Sequence, residues 1–247
     1  LRNYLREKGY SEKLIERALS KLNRAVTNQT NSLYDVNKEL YGYLRYGIEV
    51  RERVGENKQT VRLINWDDVY DNDFYIAEEV TIKGENTKRP DIVLYVNGIA
   101  LGVLELKRSI VSVSEGIRQN LDNQQSDFIK PFFHTIQLVM AGNDTEGLRY
   151  ATIETPEKYY LTWKEDKKAQ DPLSQQVNDL IGKTEHILDK QLIGLCHKER
   201  FLEIIHNFIV FDRGIKKLCR PNQYFGVKAA MARIRERQDG IIWHTQG

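Results

Sequence analysis

Asp91, Glu105 and Lys107 are the residues whose types and spacing can do chemistry. They stand at the two ends of one apolar stretch that runs from Arg89-Pro90-Asp91 through Val96-Asn97-Gly98-Ile99 to Glu105-Leu106-Lys107. Val, Ile and Leu fill it on both sides of the Asn97-Gly98 pair, which predicts a β-hairpin whose strands are buried on both faces. Charges at the ends of a buried hairpin are costly unless they are paired or bound to a metal. Glu105 and Lys107 are two apart on one strand, so their side chains share a face. Whether Asp91 joins them depends on register. A strict two-residue loop pairs Val96 with Ile99 and sets Asp91 opposite Leu104, facing away from Glu105. A three-residue loop with Gly98 in the left-handed region, or a bulge, shifts the parity and brings the two carboxylates together. The odd register is the one expected.

In that register the chemistry follows from the donors. Two converging carboxylates repel each other, and a divalent cation removes the repulsion; Mg²⁺ is the default for such oxygens, keeping several of its waters. A metal there lowers the pKa of bound water and offsets charge on a phosphodiester during displacement. Lys107 beside it orients the water or stabilises the negative charge of the transition state. The competing reading is a salt bridge at a strand end with Asp91 as a turn residue.

The elements that must position these groups are legible around them. Apolar residues at helical spacing predict helix over 1–24, broken at Lys8-Gly9 and restarted at an N-cap, Ser11. A second helix is expected from Leu33 to Leu44. Short strands are expected at Tyr46–Val50 and Val61–Trp66, and a longer one over Phe74–Ile82. After the hairpin, the polar interval Ser112–Ser126 reads as a helix across one end of the sheet. Strands follow at His134–Ala141 and Leu148–Ile153, with Tyr159–Trp163 a further short strand or an aromatic-packed loop. Composition then shifts through the charged Lys164–Gln170. Residues 177–235 carry helical spacing, with Leu202, Ile205 and Ile209 in one run. The division is therefore 1–168 and 169–247.

Composition sets bounds. The chain has 247 residues, 40% hydrophobic and 29% charged, and its 37 basic and 35 acidic side chains give a formal net charge of only +2. Bulk charge does not announce a nucleic-acid partner, and any basic surface has to be local. No apolar run approaches the roughly 18–20 residues that cross a bilayer. Cys196 and Cys219 form no ligand cluster and read as reduced thiols of a cytoplasmic protein. The five histidines (His134, His186, His197, His206, His244) show no metal-ligand spacing. Leu1 is not a natural start, so sequence upstream of it is expected.

The hairpin with its Pro90-Asp91 and Glu105-Leu106-Lys107 resembles the PD-(D/E)xK nuclease motif. More narrowly, it resembles the R (motor and nuclease) subunit of type I restriction–modification enzymes. Asn37-Lys38-Glu39-Leu40-Tyr41, Leu44-Arg45-Tyr46-Gly47, Leu63-Ile64-Asn65-Trp66 and Asn72-Asp73-Phe74 resemble blocks of that subunit ahead of the hairpin, and the likeness covers nearly the whole chain. It implies a restriction-endonuclease-like α/β core, with a mixed sheet and central hairpin flanked by helices. A helical segment then leads into a RecA-like ATPase domain. It implies that Asp91 and Glu105 bind Mg²⁺ and that Lys107 assists hydrolysis of double-stranded DNA. The partners it implies are the modification and specificity subunits. The family's Gln-x-x-x-Tyr element places its glutamine on Gln119, a further catalytic candidate, while Asn123 holds the tyrosine position and reads as solvated. Glu39 and Glu78 are weaker candidates for an additional acidic residue, each more simply a surface charge.

Near the C-terminus, Arg220-Pro221-Asn222-Gln223-Tyr224, a helix over Val227–Arg237 and the run Gly240–Gly247 resemble the opening of the type I translocase. In that likeness Gln223 takes the place of the adenine-contacting glutamine. The chain ends before the Ser-Gly-Lys-Ser of a phosphate-binding loop. ATP is accordingly expected to bind only the full-length protein. Arg233, Arg235 and Arg237 are candidates for DNA phosphates or for a solvated face. Two functions compete: a Mg²⁺-dependent endonuclease domain coupled in the full-length subunit to ATP-driven translocation, and a non-catalytic DNA-docking or assembly module of the same complex.

Overall fold

Three helices open the chain, and serine side chains cap the second and third. The computed structural model describes residues 1–53, 55–169 and 171–242. Helix α1 covers Arg2–Glu7, α2 Glu12–Val26 and α3 Leu33–Tyr46. Ser11 Oγ accepts from the Leu14 amide at 3.3 Å and Ser32 Oγ from the Asp35 amide at 3.0 Å, each satisfying an otherwise orphaned helix donor. Leu14, Ile15, Ala18 and Leu22 of α2 and Val36, Leu40 and Leu44 of α3 form apolar stripes that enter the main core. Strands β1 (Ile48–Val50) and β2 (Gln59–Val61) make a small antiparallel ribbon beside them.

The central sheet has five strands in the order β3-β4-β5-β6-β7. These are Phe74–Glu78, Ile92–Val96, Ile99–Leu106, Leu138–Asn143 and Gly147–Ala151; β3 starts where the sequence puts it but ends at Glu78 rather than Ile82, and β6 starts at Leu138 rather than His134. All neighbours are antiparallel except β5 and β6, which run parallel and are joined through helix α4, Val113–Asn123. Buried side chains line β5 almost throughout, whereas β4 is half-covered and the edge strand β3 leaves Tyr75 and Ile76 exposed.

The register of the hairpin settles the parity. Asn97 and Gly98 both have positive φ, 51° and 79°, as a two-residue type I′ loop requires. The ladder starts as Val96↔Ile99 and Tyr95↔Ala100, then slips to Leu94↔Gly102, Val93↔Val103 and Ile92↔Leu104. Leu101 is the extra residue of a bulge. Its side chain joins the main core, and the Cβ direction of Gly102 meets Leu94 and Phe201 of that same core. Two successive residues thus face one side, and every residue after them is turned over. Val103 therefore packs with Phe133, Ile136 and Val139 on the opposite face, and Glu105 follows it there.

Past Asp171 the chain continues as α5 (Pro172–Ile181), α6 (Ile187–Cys196), α7 (Lys198–Asn207), a hairpin of β8 (Ile209–Asp212) and β9 (Ile215–Leu218), and α8 (Pro221–Arg235). The hairpin is a correction: the helical period Leu202, Ile205, Ile209 runs on past the end of α7, but Arg213-Gly214, both at positive φ, turn the chain back. These elements share the core of those before them. Leu188, Leu195, Phe201, Ile205 and Tyr224 lie in one cluster with Leu40, Leu104 and Met140. Tyr41 Oη donates to the Ile205 carbonyl and Tyr150 Oη to that of Cys219, each at 3.0 Å. Buried Lys216 of β9 donates to Asn37 Oδ1 at 2.8 Å and Gln137 Oε1 at 2.6 Å, fastening the second hairpin to α3 and to the entry of β6. The run expected from Gly240 has no regular structure through Ile242, and residues 243–247 lie outside the described residues. Among the described residues, no helix is long and apolar enough to cross a membrane. Both cysteines are free.

Candidate functional site

Glu105 is the centre of the site. It lies beside Ala141 in the parallel ladder, and Ala141 packs against Val113 and Ile117 of α4, so the helix roofs the carboxylate. Gly116 lets the roof come close: a Cβ there would meet that of Ala141 at 3.1 Å and Lys107 Cε at 3.5 Å. The N-terminus of α4 is held by Ser112, which caps it, and by Glu146 Oε1, which accepts from the Val113 amide at 3.0 Å.

The bulge brings Asp91 to the same place. Continuing the register one step beyond Ile92↔Leu104 sets Asp91 across from Glu105, and Asp91 Oδ2 accepts from the Leu106 amide at 2.7 Å. Glu105 is fully buried, and its Oε1 has no hydrogen-bond donor. Burial, and then the Asp91 charge and a hydrogen bond that protonated Glu105 makes to Asp91, push the Glu105 carboxyl up to about 8; the charges of Lys107 and Lys88 pull the other way.

Lys107 and Gln119 complete the group. Gln119 Nε2 donates to Glu105 Oε2 at 2.8 Å, while Gln119 Oε1 accepts from Lys107 Nζ at 2.6 Å. Lys107 Nζ is 4.0 Å from Glu105 Oε2, and its side chain is 18% exposed. The structure therefore brings Asp91, Glu105, Lys107 and Gln119 together.

Other candidates lie apart from them. Glu39 is exposed on α3 and accepts from Tyr43 Oη. Glu78 is exposed and pairs with Ile92, so its side chain leaves on the face opposite Asp91. Gln223 folds back on its own helix, its Oε1 accepting from the Arg220 amide at 2.8 Å. Arg233 is exposed, with Nη1 donating to Gln238, and Arg235 and Arg237 are exposed beyond it. Asn123 is a correction: it is buried, not solvated, and its Oδ1 has no donor. The polar face of α4 misled the reading, because Asn120 too is buried, donating to the Met140 carbonyl at 2.9 Å.

Lys88 was passed over by the sequence reading. A basic side chain just ahead of Arg89-Pro90-Asp91 was its only signal. It lines a groove of about 250 Å³ together with Gln119, Asn123 and Phe128.

The donor set suits a hard cation. Asp91 beside the buried Glu105 carboxyl, one of whose oxygens no donor satisfies, is a pair that a divalent ion would hold together by displacing the Glu105 proton. Among the described residues no three of His, Cys, Asp and Glu converge. Water and substrate oxygens would have to fill the remaining positions around an ion held by Asp91 and Glu105, as a Mg²⁺ site ordinarily has it.

Comparison with known proteins gives the chain a family. The family model described as "Type I restriction enzyme R protein N terminus" matches residues 2–158. The chain belongs to that family. Two Methanocaldococcus jannaschii proteins bear the names "Putative type I restriction enzyme MjaVIIIP endonuclease subunit" and the same with MjaVIIP. The first is 28% identical over 96% of this chain and 22% of its own length; the second is 31% identical over 83% and 20%. The type I restriction enzyme HindI endonuclease subunit of Haemophilus influenzae is 26% identical over 85% of this chain and 21% of its own. The chain thus spans about a fifth of the length of these relatives.

Proposed function

We propose that this chain is the nuclease part of a type I restriction subunit and hydrolyses DNA phosphodiester bonds with Mg²⁺. The observation that carries the reading is the convergence of Asp91 with the buried, donor-free Oε1 of Glu105 through the Leu101 bulge. Held there, Mg²⁺ would supply a hard charge that offsets the phosphodiester's and makes bound water a better nucleophile.

The side chains do the rest by position. Asp91, fixed by the Leu106 amide, and Glu105, fixed by Gln119, present oxygens without having to rearrange. Lys107 commits one N–H to Gln119 and keeps the others for a phosphate oxygen or the attacking water, placing positive charge where negative charge grows. Double-stranded DNA is the substrate. In the full-length subunit the reaction is coupled to ATP-driven translocation, with ATP bound only by the full-length protein, and the subunit works with modification and specificity subunits. The names of the relatives and the family match support that setting.

The test uses the full-length subunit in its assembled enzyme. Asp91→Ala and Lys107→Ala are expected to abolish DNA cleavage and leave ATP hydrolysis intact. Normal cleavage by both variants would reject the reading in favour of an acidic motif that only supports docking or assembly.

A further inference from the structure

Lys88 is fixed at its main chain and, among the described residues, makes no hydrogen bond or ion pair at its tip. Its backbone exchanges two hydrogen bonds with Ile82, at 2.8 and 3.0 Å, just ahead of Asp91. The half-buried side chain reaches into the groove beside α4, where Nζ lies 4.4 Å from the centroid of the Phe128 ring. Among the described residues no carboxylate pairs with it, whereas nearby cations are engaged: Arg89 with Glu79 at 3.0 Å, Arg118 with Glu157 at 3.1 Å and Lys107 with Gln119.

The groove joins Lys88 to the site. Gln119, which bridges Glu105 and Lys107, lines it, and so does Asn123, whose buried Oδ1 has no donor. Glu115, Asp122 and Arg118 also line it, exposed on α4, Arg118 being held by Glu157. A polyanion is therefore not drawn in by a general basic field. It needs a particular cation with free N–H groups, seated where an aromatic ring keeps it oriented.

From this placement we infer that Lys88 holds a DNA backbone phosphate next to the scissile one, so that the groove between Phe128 and α4 is the track of the cleaved strand. The inference rests on the nuclease reading above and deepens it. Lys107 acts at the reacting phosphate; Lys88 fixes the neighbouring one and so aligns the strand over Asp91 and Glu105.

The test compares Lys88→Gln, Lys88→Arg and Asp91→Asn in the full-length subunit within its assembled enzyme, following plasmid cleavage and ATP hydrolysis together over a salt and pH series. Lys88→Gln should cleave about tenfold or more slowly with ATP hydrolysis unchanged. Lys88→Arg should recover most of the rate. The gap between wild type and Lys88→Gln should narrow as salt rises, because a phosphate contact is screened.

Wild-type cleavage by Lys88→Gln overturns the assignment, as does a gap that ignores salt or an equal loss of ATP hydrolysis, since either marks a packing role. A deficit that vanishes at higher pH also overturns it, by showing that Lys88 acts only through the ionisation of Glu105. If Asp91→Asn cleaves normally, the nuclease reading itself falls. If Asp91→Asn is inactive while Lys88→Gln is normal, only the role of Lys88 falls.

Discussion

Glu105 and Lys107 share a strand face, yet Lys107 Nζ stands 4.0 Å from the carboxylate because the amide of Gln119 is bonded to both. A direct ion pair would occupy the ammonium and one carboxylate oxygen with each other. The amide keeps both oriented and leaves Lys107 the capacity to donate elsewhere. Gln119→Leu should therefore let the pair close up or drift, lowering DNA cleavage by about ten- to a hundredfold in the assembled enzyme, while ATP hydrolysis and the melting temperature change little. A cleavage rate within twofold of wild type would remove Gln119 from the site.

The raised Glu105 carboxyl gives a pH dependence with a definite sign. Its ordinary value is 4.5 and in the fold it lies near 8, so between these the folded state keeps a proton that the unfolded chain has released. The stability it contributes is complete below pH 4.5 and is lost as pH rises through about 8. Mg²⁺ held by Asp91 and Glu105, as proposed, would displace the same proton. Titrating Mg²⁺ into the chain at pH 7 should thus release about one proton per ion, and at pH 9 almost none. Glu105→Gln should release none at either pH. Calorimetry in two buffers of different ionisation heat checks this, and equal proton release from wild type and Glu105→Gln would refute it.

Much of the site was legible because its geometry is local. Asn97-Gly98 between apolar runs fixes a hairpin, and the spacing of Glu105 and Lys107 fixes a shared face. Parity needed one more fact, whether a longer loop or a bulge supplies the extra residue. That depends on Leu101 finding room in the main core, a tertiary matter that no local pattern encodes. Asn120 and Asn123 misled for a similar reason: polar type predicts solvent, but α4 lies so close over β5 and β6 that its amides are buried. Ile209 misled because helical spacing continues across the end of α7, and the turn at Arg213-Gly214 was the better signal.

The bulge can be tested by removing it. Deleting Leu101 should restore the even register, turn Glu105 toward the apolar core and abolish cleavage. Leu101→Ala is the control, since it keeps the bulge and only opens a cavity. It should cost about 2–5 kcal/mol of stability yet retain cleavage at permissive temperature. Thermal melting beside a cleavage assay separates the two, and cleavage by the deletion variant would show that parity does not govern the site.

Asn97 anchors the loop that sets this register. Its Oδ1 accepts from the Asp73 amide at 2.8 Å, and Nδ2 donates to the Leu63 carbonyl at 2.9 Å and to Asn72 Oδ1 at 2.8 Å. Its backbone also holds a positive φ that Asn tolerates better than Ala. Asn97→Ala loses all of this and should destabilise the chain by about 2–4 kcal/mol, measured by urea unfolding. Asn97→Gly relieves the backbone but not the lost hydrogen bonds, so it should fall between Ala and wild type.

Lys216 provides a second pH signature, of opposite sign. It is buried with only neutral acceptors, Asn37 Oδ1 and Gln137 Oε1, and burial holds its pKa well below the ordinary 10.5. Between the folded value and 10.5 the unfolded chain binds the extra proton, so stability rises with pH through that window. Below it, both states carry the proton and the folded chain bears the full cost of a buried ammonium. Lys216→Met removes this dependence but leaves two buried amide oxygens without a donor, a loss of about 1–3 kcal/mol each at most. Urea unfolding at pH 6 and pH 9 should therefore show wild type gaining on Lys216→Met as pH rises. A constant difference between the two chains would mean that the Lys216 ammonium stays protonated throughout, held by its two amides alone.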